Sequence, residues 1–221
     1  SFAQATIINN HDVPGEGFND PTPRTSDITG LPTTLGQDRL DCFAAAAQVW
    51  ADYLRITVPV VVDARFDALG GSPTGAVLGF AGPTEGVIDF LGAPLPTTIF
   101  VVAQGNQIAG ADLNASDSEL TSTFNSDVDL PIVLGNITWH YGIDGNTPAG
   151  KIDFFSTAMH ELGHGLGFLS FMNTNTGVLP FNLFDIYTFQ LQRNGVDYTV
   201  MTNAERAAAN VSGQVVWKGP A

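Results

Sequence analysis

Two histidines four residues apart, with a glutamate directly after the first, constrain this chain more than any other feature: His160-Glu161-Leu162-Gly163-His164. On an α-helix, positions i and i+4 lie within about 40° of each other and one turn apart. Both imidazoles then reach a single metal ion, and histidine without a thiolate partner suits zinc. Glu161 is placed beside that ion, where a carboxylate can take a proton from an activated water. The surrounding residues fit such a helix. Asp153 is the expected N-cap, Gly167 the expected stop, and Phe155, Met159, Leu162 and Leu166 the expected core stripe. A pair of structural histidines is the plainer alternative.

Composition bounds what surrounds the helix. Of 221 residues, 44% are hydrophobic and only 14% charged, so a filled core is expected and disorder is not. Asp and Glu number 22 against 8 Lys and Arg, a net charge of −14, which argues against nucleic acid or an anionic membrane as partner. With Cys42 alone, no internal disulfide can form, and a buried thiol within a helix is the expectation. The longest uncharged run includes Pro94, Pro96, Gln104, Asn106 and Gln107, which disqualify it as a membrane span. The chain opens on Ser1, as a processed product would, and a secreted monomer is expected.

Taken in order, residues 5–10 read as a short strand, followed by a turn-rich loop to Gly36 in which Glu16, Asn19 and Asp20 are candidate calcium ligands. An amphipathic helix from about Gln37 to Arg55 has Leu40, Phe43, Ala44, Ala47, Trp50, Ala51 and Leu54 on its apolar face. Asp38, Arg39 and Asp41 fall on the polar one. Alternation of Val58, Val60, Val62, Ala64 and Phe66 predicts a half-buried strand. Further strands are expected at residues 76–80, 97–103 and 132–141. Asp112, Asp117, Glu119, Asp127 and Asp129 suggest an acidic loop or short helix with a second possible calcium site. Thr202-Asn203-Ala204-Glu205 has the form of a capping box. The fold class is α+β: a mixed sheet packed on a backing helix and on the histidine helix. Residues 1–167 form one expected lobe ending in that helix, and 168–221 a small irregular lobe closing the cleft.

With these residues in view, the chain resembles the zincin metallopeptidases. His160 to Phe168 is similar to the H-E-x-x-H-x-x-G-F helix of leishmanolysin-type metzincins. Gly15–Pro21, Tyr141–Asn146 and Met201–Arg206 resemble stretches of secreted bacterial metallopeptidases in which a protease-associated domain follows. The resemblance implies a zincin-like fold and a zinc endopeptidase, with His160 and His164 as ligands and Glu161 as general base. It also implies a methionine turn, for which Met172 and Met201 are the downstream candidates. The alternative is a zincin-like module that binds a partner without catalysis.

The third ligand departs from the family pattern. A typical metzincin places it where this chain has Ser170, and leishmanolysin-type enzymes use a downstream histidine, which this chain lacks. Asp185 is the preferred candidate, because a carboxylate among Phe181, Leu183, Phe184 and Ile186 is costly to bury unless a metal relieves it; an Asp that caps a helix or faces solvent is the plainer alternative. His140, between Trp139 and Tyr141, and a residue beyond Ala221 are the rivals. Tyr141, Tyr187 and Tyr198 are candidates for stabilising an oxyanion, and residues 97–103 or 132–141 for pairing with a peptide substrate.

Overall fold

The computed structural model describes residues 5–115 and 117–219, so residues 1–4 and 220–221, the outer ends of the two expected lobes, lie outside the described residues. β1 (Thr6–Asn10), β4 (Val60–Asp67), β8 (Leu120–Asn125) and β5 (Gly79–Pro83) form the main sheet in the order β1-β4-β8-β5. β1, β4 and β8 run parallel, and β5 closes one edge antiparallel to β8. Two helices, α1 (Leu35–Leu54) and α3 (Phe154–Gly165), pack on each other, and α3 also lies against β5 and β8. The class is α+β with a mixed sheet.

The smaller elements tie the connections down. β2 (Pro23–Thr25) and β3 (Pro32–Thr34) make a hairpin before α1. β6 (Gly86–Val87) pairs with β7 (Phe100–Val101), which runs straight into α2 (Val102–Ala109). β9 (Thr138–His140) and β10 (Lys151–Asp153) pair in parallel just ahead of α3. After α3 come the single-turn α4 (Ile186–Phe189), then β11 (Leu191–Arg193), β12 (Val196–Asp197), α5 (Asn203–Asn210) and β13 (Val215–Trp217). β11 pairs with both β12 and β13. No described helix is long and apolar enough to cross a membrane.

Burial follows local pattern where the pattern is clean. Along β4, Val60, Val62, Ala64 and Phe66 are buried while their neighbours are half-buried or exposed, as period-2 alternation dictates. The capping box at α5 forms in full, with Thr202 and Glu205 exchanging side-chain and backbone bonds. Other expectations change. Residues 97–103 give only the two-residue strand β7 before turning helical, and residues 132–141 give only β9. The strand expected at 76–80 lies instead at 79–83.

The largest difference is β8. It runs between two other strands, through the stretch that reads as acidic loop. Leu120, Ser122 and Phe124 alternate there, but Thr121, Thr123 and Asn125 dilute the apolar signal, and the sheet supplies what local sequence does not. Asp38 and Arg39, expected on the polar face of α1, are also buried. Asp38 accepts from Arg24 Nε at 3.1 Å and Asp27 N at 3.2 Å. Arg39 donates to Gly17 O, Tyr141 Oη and Asp129 within 3.0 Å and stacks over Phe66. Paired charges of this kind can be buried where single ones cannot.

An aromatic cluster fixes the start of α3. Phe154 packs at centroid distances of 5.1 Å on Phe66, 4.8 Å on Phe124, and 5.4 Å on both Trp139 and Tyr141. The buried residues of α3 are Phe154, Ala158, Leu162, Gly163 and Gly165; Phe155, Met159 and Leu166, expected in the stripe, flank them partly buried. A second, smaller cluster of Met172, Leu179, Leu191, Tyr198 and Ala209 holds the chain after α3 together. Replacing Phe154 with Ala should cost about 3–5 kcal/mol. The unfolding midpoint, followed by far-UV circular dichroism, should fall by about 10 °C.

Candidate metal site

Helix α3 presents the two histidines on its outer side because the opposite side is committed to the core. Asp153 caps it, accepting from Ser156 N at 3.2 Å and Ser156 Oγ at 2.6 Å. Gly163 faces the indole of Trp50, which a Cβ would meet at 3.3 Å, and a Cβ on Gly165 would meet Leu120 at 2.8 Å. Trp50 Nε1 also donates to Met159 O at 2.9 Å. The helix therefore sits close on α1 and β8, and the glycines within the motif are what allow it. Gly167, at φ 107°, turns the chain away after the last turn.

The two imidazoles converge. Nε2 of His160 and Nε2 of His164 are 3.0 Å apart, with ring planes at 85°. Two nitrogens bound to one tetrahedral zinc at about 2.05 Å stand about 3.3 Å apart, so the spacing is close to that of a shared ion. On its other side, His164 Nδ1 lies 2.8 Å from Phe168 O. A carbonyl only accepts, so in the neutral ring Nδ1 carries the proton and Nε2 offers its lone pair toward His160. This is the tautomer a metal ligand needs. His160 is exposed, His164 and Glu161 are half-buried, and no ion pair among the described residues engages Glu161.

Asp185 does not complete the site. It is buried, and its carboxylate caps α4: Oδ1 accepts from Thr188 N at 2.7 Å, and Oδ2 from Thr188 Oγ1 at 2.7 Å and Phe171 N at 3.0 Å. Three donors, rather than a cation, offset its burial. His140 is half-buried, its Nδ1 3.2 Å from Asp27. Among the described residues, no three His, Cys, Asp or Glu side chains converge on one point. Two imidazole nitrogens thus fit zinc, and the third protein ligand is not brought to them. Of the candidate calcium ligands, Asp20 and Asp127 accept from Thr22 N and Gly70 N, Asn19 bonds Asn10, and Glu119 bonds Val61 N and Asn106.

Of the three tyrosines, two are locked in the interior. Tyr141 Oη donates to Asp129 and accepts from Arg39, and burial pushes its phenol well above the usual range. Tyr198 Oη bonds Asn210 at 3.0 Å. Tyr187 is only half-buried and packs between Phe168, at 5.4 Å, and Trp217, at 5.2 Å. Met172 and Met201 both belong to the second cluster.

β5 is one of the two edge strands of the main sheet, β1 being the other. Leu78 O accepts from Asn125 N at 2.9 Å and Thr84 N donates to Glu119 O at 3.0 Å. Even-numbered residues here face β8, so Gly79 and Ala81 turn their N–H and C=O outward. Pro83, the third outward residue, has no N–H to offer. No family model, curated protein or solved structure matches the chain.

Removing either imidazole tests the site directly. His160→Ala and His164→Ala should each weaken zinc binding by at least about 100-fold in a competition titration against a chromogenic chelator. Asp185→Ala should leave zinc stoichiometry at the wild-type value. It should instead lower the unfolding midpoint, because the buried Thr188 N–H loses its acceptor at about 1–3 kcal/mol and the half-buried Phe171 N–H loses one as well. Asp27 gives a pH signature. Although burial opposes it, the Tyr141 N–H, Arg24 and His140 hold its carboxyl below the ordinary 3.8. Its stabilising contribution is therefore complete above pH 3.8 and lost as pH falls through the lower folded value. Asp27→Asn should lower the unfolding midpoint at pH 7, and the gap from wild type should narrow as the pH falls below about 3.8.

Proposed function

We propose that this chain is a secreted zinc-dependent peptidase of the zincin type, acting on protein or peptide substrates. The observation that carries the reading is the convergence of His160 and His164 through their Nε2 atoms, with the His164 tautomer set by Phe168 O. The donor chemistry suits zinc, which when bound acidifies a water ligand and polarises a carbonyl. Glu161, next to His160 on the same turn, accepts the proton of the attacking water and returns it to the leaving amine. The outward N–H and C=O groups of Gly79 and Ala81 bind an extended peptide as an added strand, next to the helix that carries the histidines. Tyr187 is the tyrosine left to face an oxyanion, since Tyr141 and Tyr198 are held in the interior.

One observation favours a second reading. With two rather than three protein ligands converging among the described residues, a module that binds a partner without hydrolysing it accounts for the site as well. Hydrolysis separates the two. Casein cleavage abolished by a zinc chelator and restored by zinc is the expected result for the peptidase. Glu161→Ala should keep zinc content and unfolding midpoint while losing about 10²–10⁴ of the rate. Cleavage by Glu161→Ala at the wild-type rate would remove the general-base role, and no cleavage by the zinc-loaded wild type would leave the binding module.

A further inference from the structure

The histidine pair offers zinc half of what a closed site provides. Zinc held by protein side chains alone is four-coordinate and tetrahedral. His160 Nε2 and His164 Nε2, 3.0 Å apart, span one edge of such a tetrahedron. Among the described residues no group of three His, Cys, Asp or Glu side chains forms around them, and Asp185 and His140 are engaged elsewhere. The opposite edge of a tetrahedron is related to the first by a two-fold axis through the ion. The same operator relates the two protomers of the commonest homodimers, in which each copy presents the same patch. A second His160–His164 pair therefore fills the two remaining positions without any further ligand type.

The pair lies where another copy can reach it. His160 is exposed, and the approach of the two rings is at the surface. Beside it, Phe168, whose carbonyl faces His164 Nδ1, is 66% exposed. Phe168 packs on Tyr187 at 5.4 Å and Tyr187 on Trp217 at 5.2 Å, and Trp217 is 45% exposed. An aromatic row thus runs outward from the metal position, of the composition that the buried centres of homodimer interfaces favour. Charge opposes association, since each copy carries −14. The ion must then supply what the apolar row alone does not.

We infer that zinc joins two copies of this chain at this site, with His160 and His164 of each copy occupying its four positions across a two-fold axis and Phe168 at the contact between them. The inference rests on the zinc-binding part of the function proposed above. Four imidazoles leave no position for water or substrate, so the bridged dimer is a resting form. A monomer with an ion of its own keeps open positions. Zinc supply therefore sets the balance: scarce metal is shared between two chains, and abundant metal separates them.

The test titrates metal-free protein with zinc chloride and follows it by sedimentation velocity, at about 100 µM chain and about 150 mM NaCl so that like-charge repulsion is screened. The zinc-free chain should be monomeric. Dimer should peak near half an equivalent of zinc per chain and fall at least two-fold by about ten equivalents, as each pair takes its own ion. X-ray absorption at half an equivalent should count four imidazoles per zinc. His160→Ala and His164→Ala should each abolish the dimer. Phe168→Asp keeps the backbone carbonyl, so it should leave the affinity for a single zinc within about two-fold while weakening dimerisation at least ten-fold. Trp217→Asp, expected to weaken dimerisation in the same direction, serves if that variant does not fold. A chain that binds one zinc and stays monomeric at every ratio overturns the bridge and leaves the zinc site of the proposed function standing. A chain that binds no zinc removes both. A dimer that forms without zinc, survives a histidine variant, only grows with excess metal or ignores the aspartate variants also overturns the bridge.

Discussion

The packing of α3 onto the sheet is the constraint from which the rest of the structure follows. Phe154 is wedged among Phe66, Phe124, Trp139 and Tyr141 at one end of the helix. Gly165 rests against Leu120 at the other. Between those points the helix cannot rotate without forcing a polar side chain into a close-packed interior, where even one misplaced methylene is felt. His160 and His164 face outward because the opposite side is fixed, and the tight approach of Trp50 requires the glycine between Leu162 and His164. The motif is thus a packing statement as well as a chemical one.

From that fixed helix the site is assembled by backbone as much as by side chains. Gly167 turns the chain so that Phe168 O returns to His164 Nδ1, and the same segment continues to Phe171, whose N–H is held by Asp185. Asp185 is bonded in turn through its neighbours to Ile99. The histidine ring is therefore linked to Ile99 through hydrogen bonds joined by the chain itself from Phe168 to Phe171 and from Phe184 to Ile186. Asp185 is bonded into this framework by three donors: one hydroxyl and two amides already satisfy a carboxylate in an apolar setting.

The same logic recurs across this acidic chain. Asp12 accepts from Phe18 N and Phe66 N, Glu119 from Val61 N and Asn106, and Asp38 from Asp27 N and Arg24. For Asp12 and Glu119, burial pushes the carboxyl above its ordinary value, so these ties persist despite a desolvation cost. Several of the 22 acidic residues thus act as interior fasteners between loops and strands. Read from sequence alone they look like solvated surface or calcium ligands, because a carboxylate's partners here are mostly backbone N–H groups, which leave no trace in the residue pattern.

What the sequence determined by itself was local: the helical histidine pair with its Asp153 cap and Gly167 stop, the alternation of β4, the amphipathic α1 and the capping box of α5. Each of these rests on contacts within a turn or two of chain, so its periodicity is visible in the string. Tertiary structure decided the rest. β8 became a strand because β4 and β5 pair with it on either side, although Thr121, Thr123 and Asn125 blur its pattern. β5 became an edge strand only through its place in the sheet order. Arg39 was turned inward by acceptors from distant segments. Such outcomes depend on partners tens of residues away, and a side chain's neighbours across space are fixed by packing rather than by its position in the sequence.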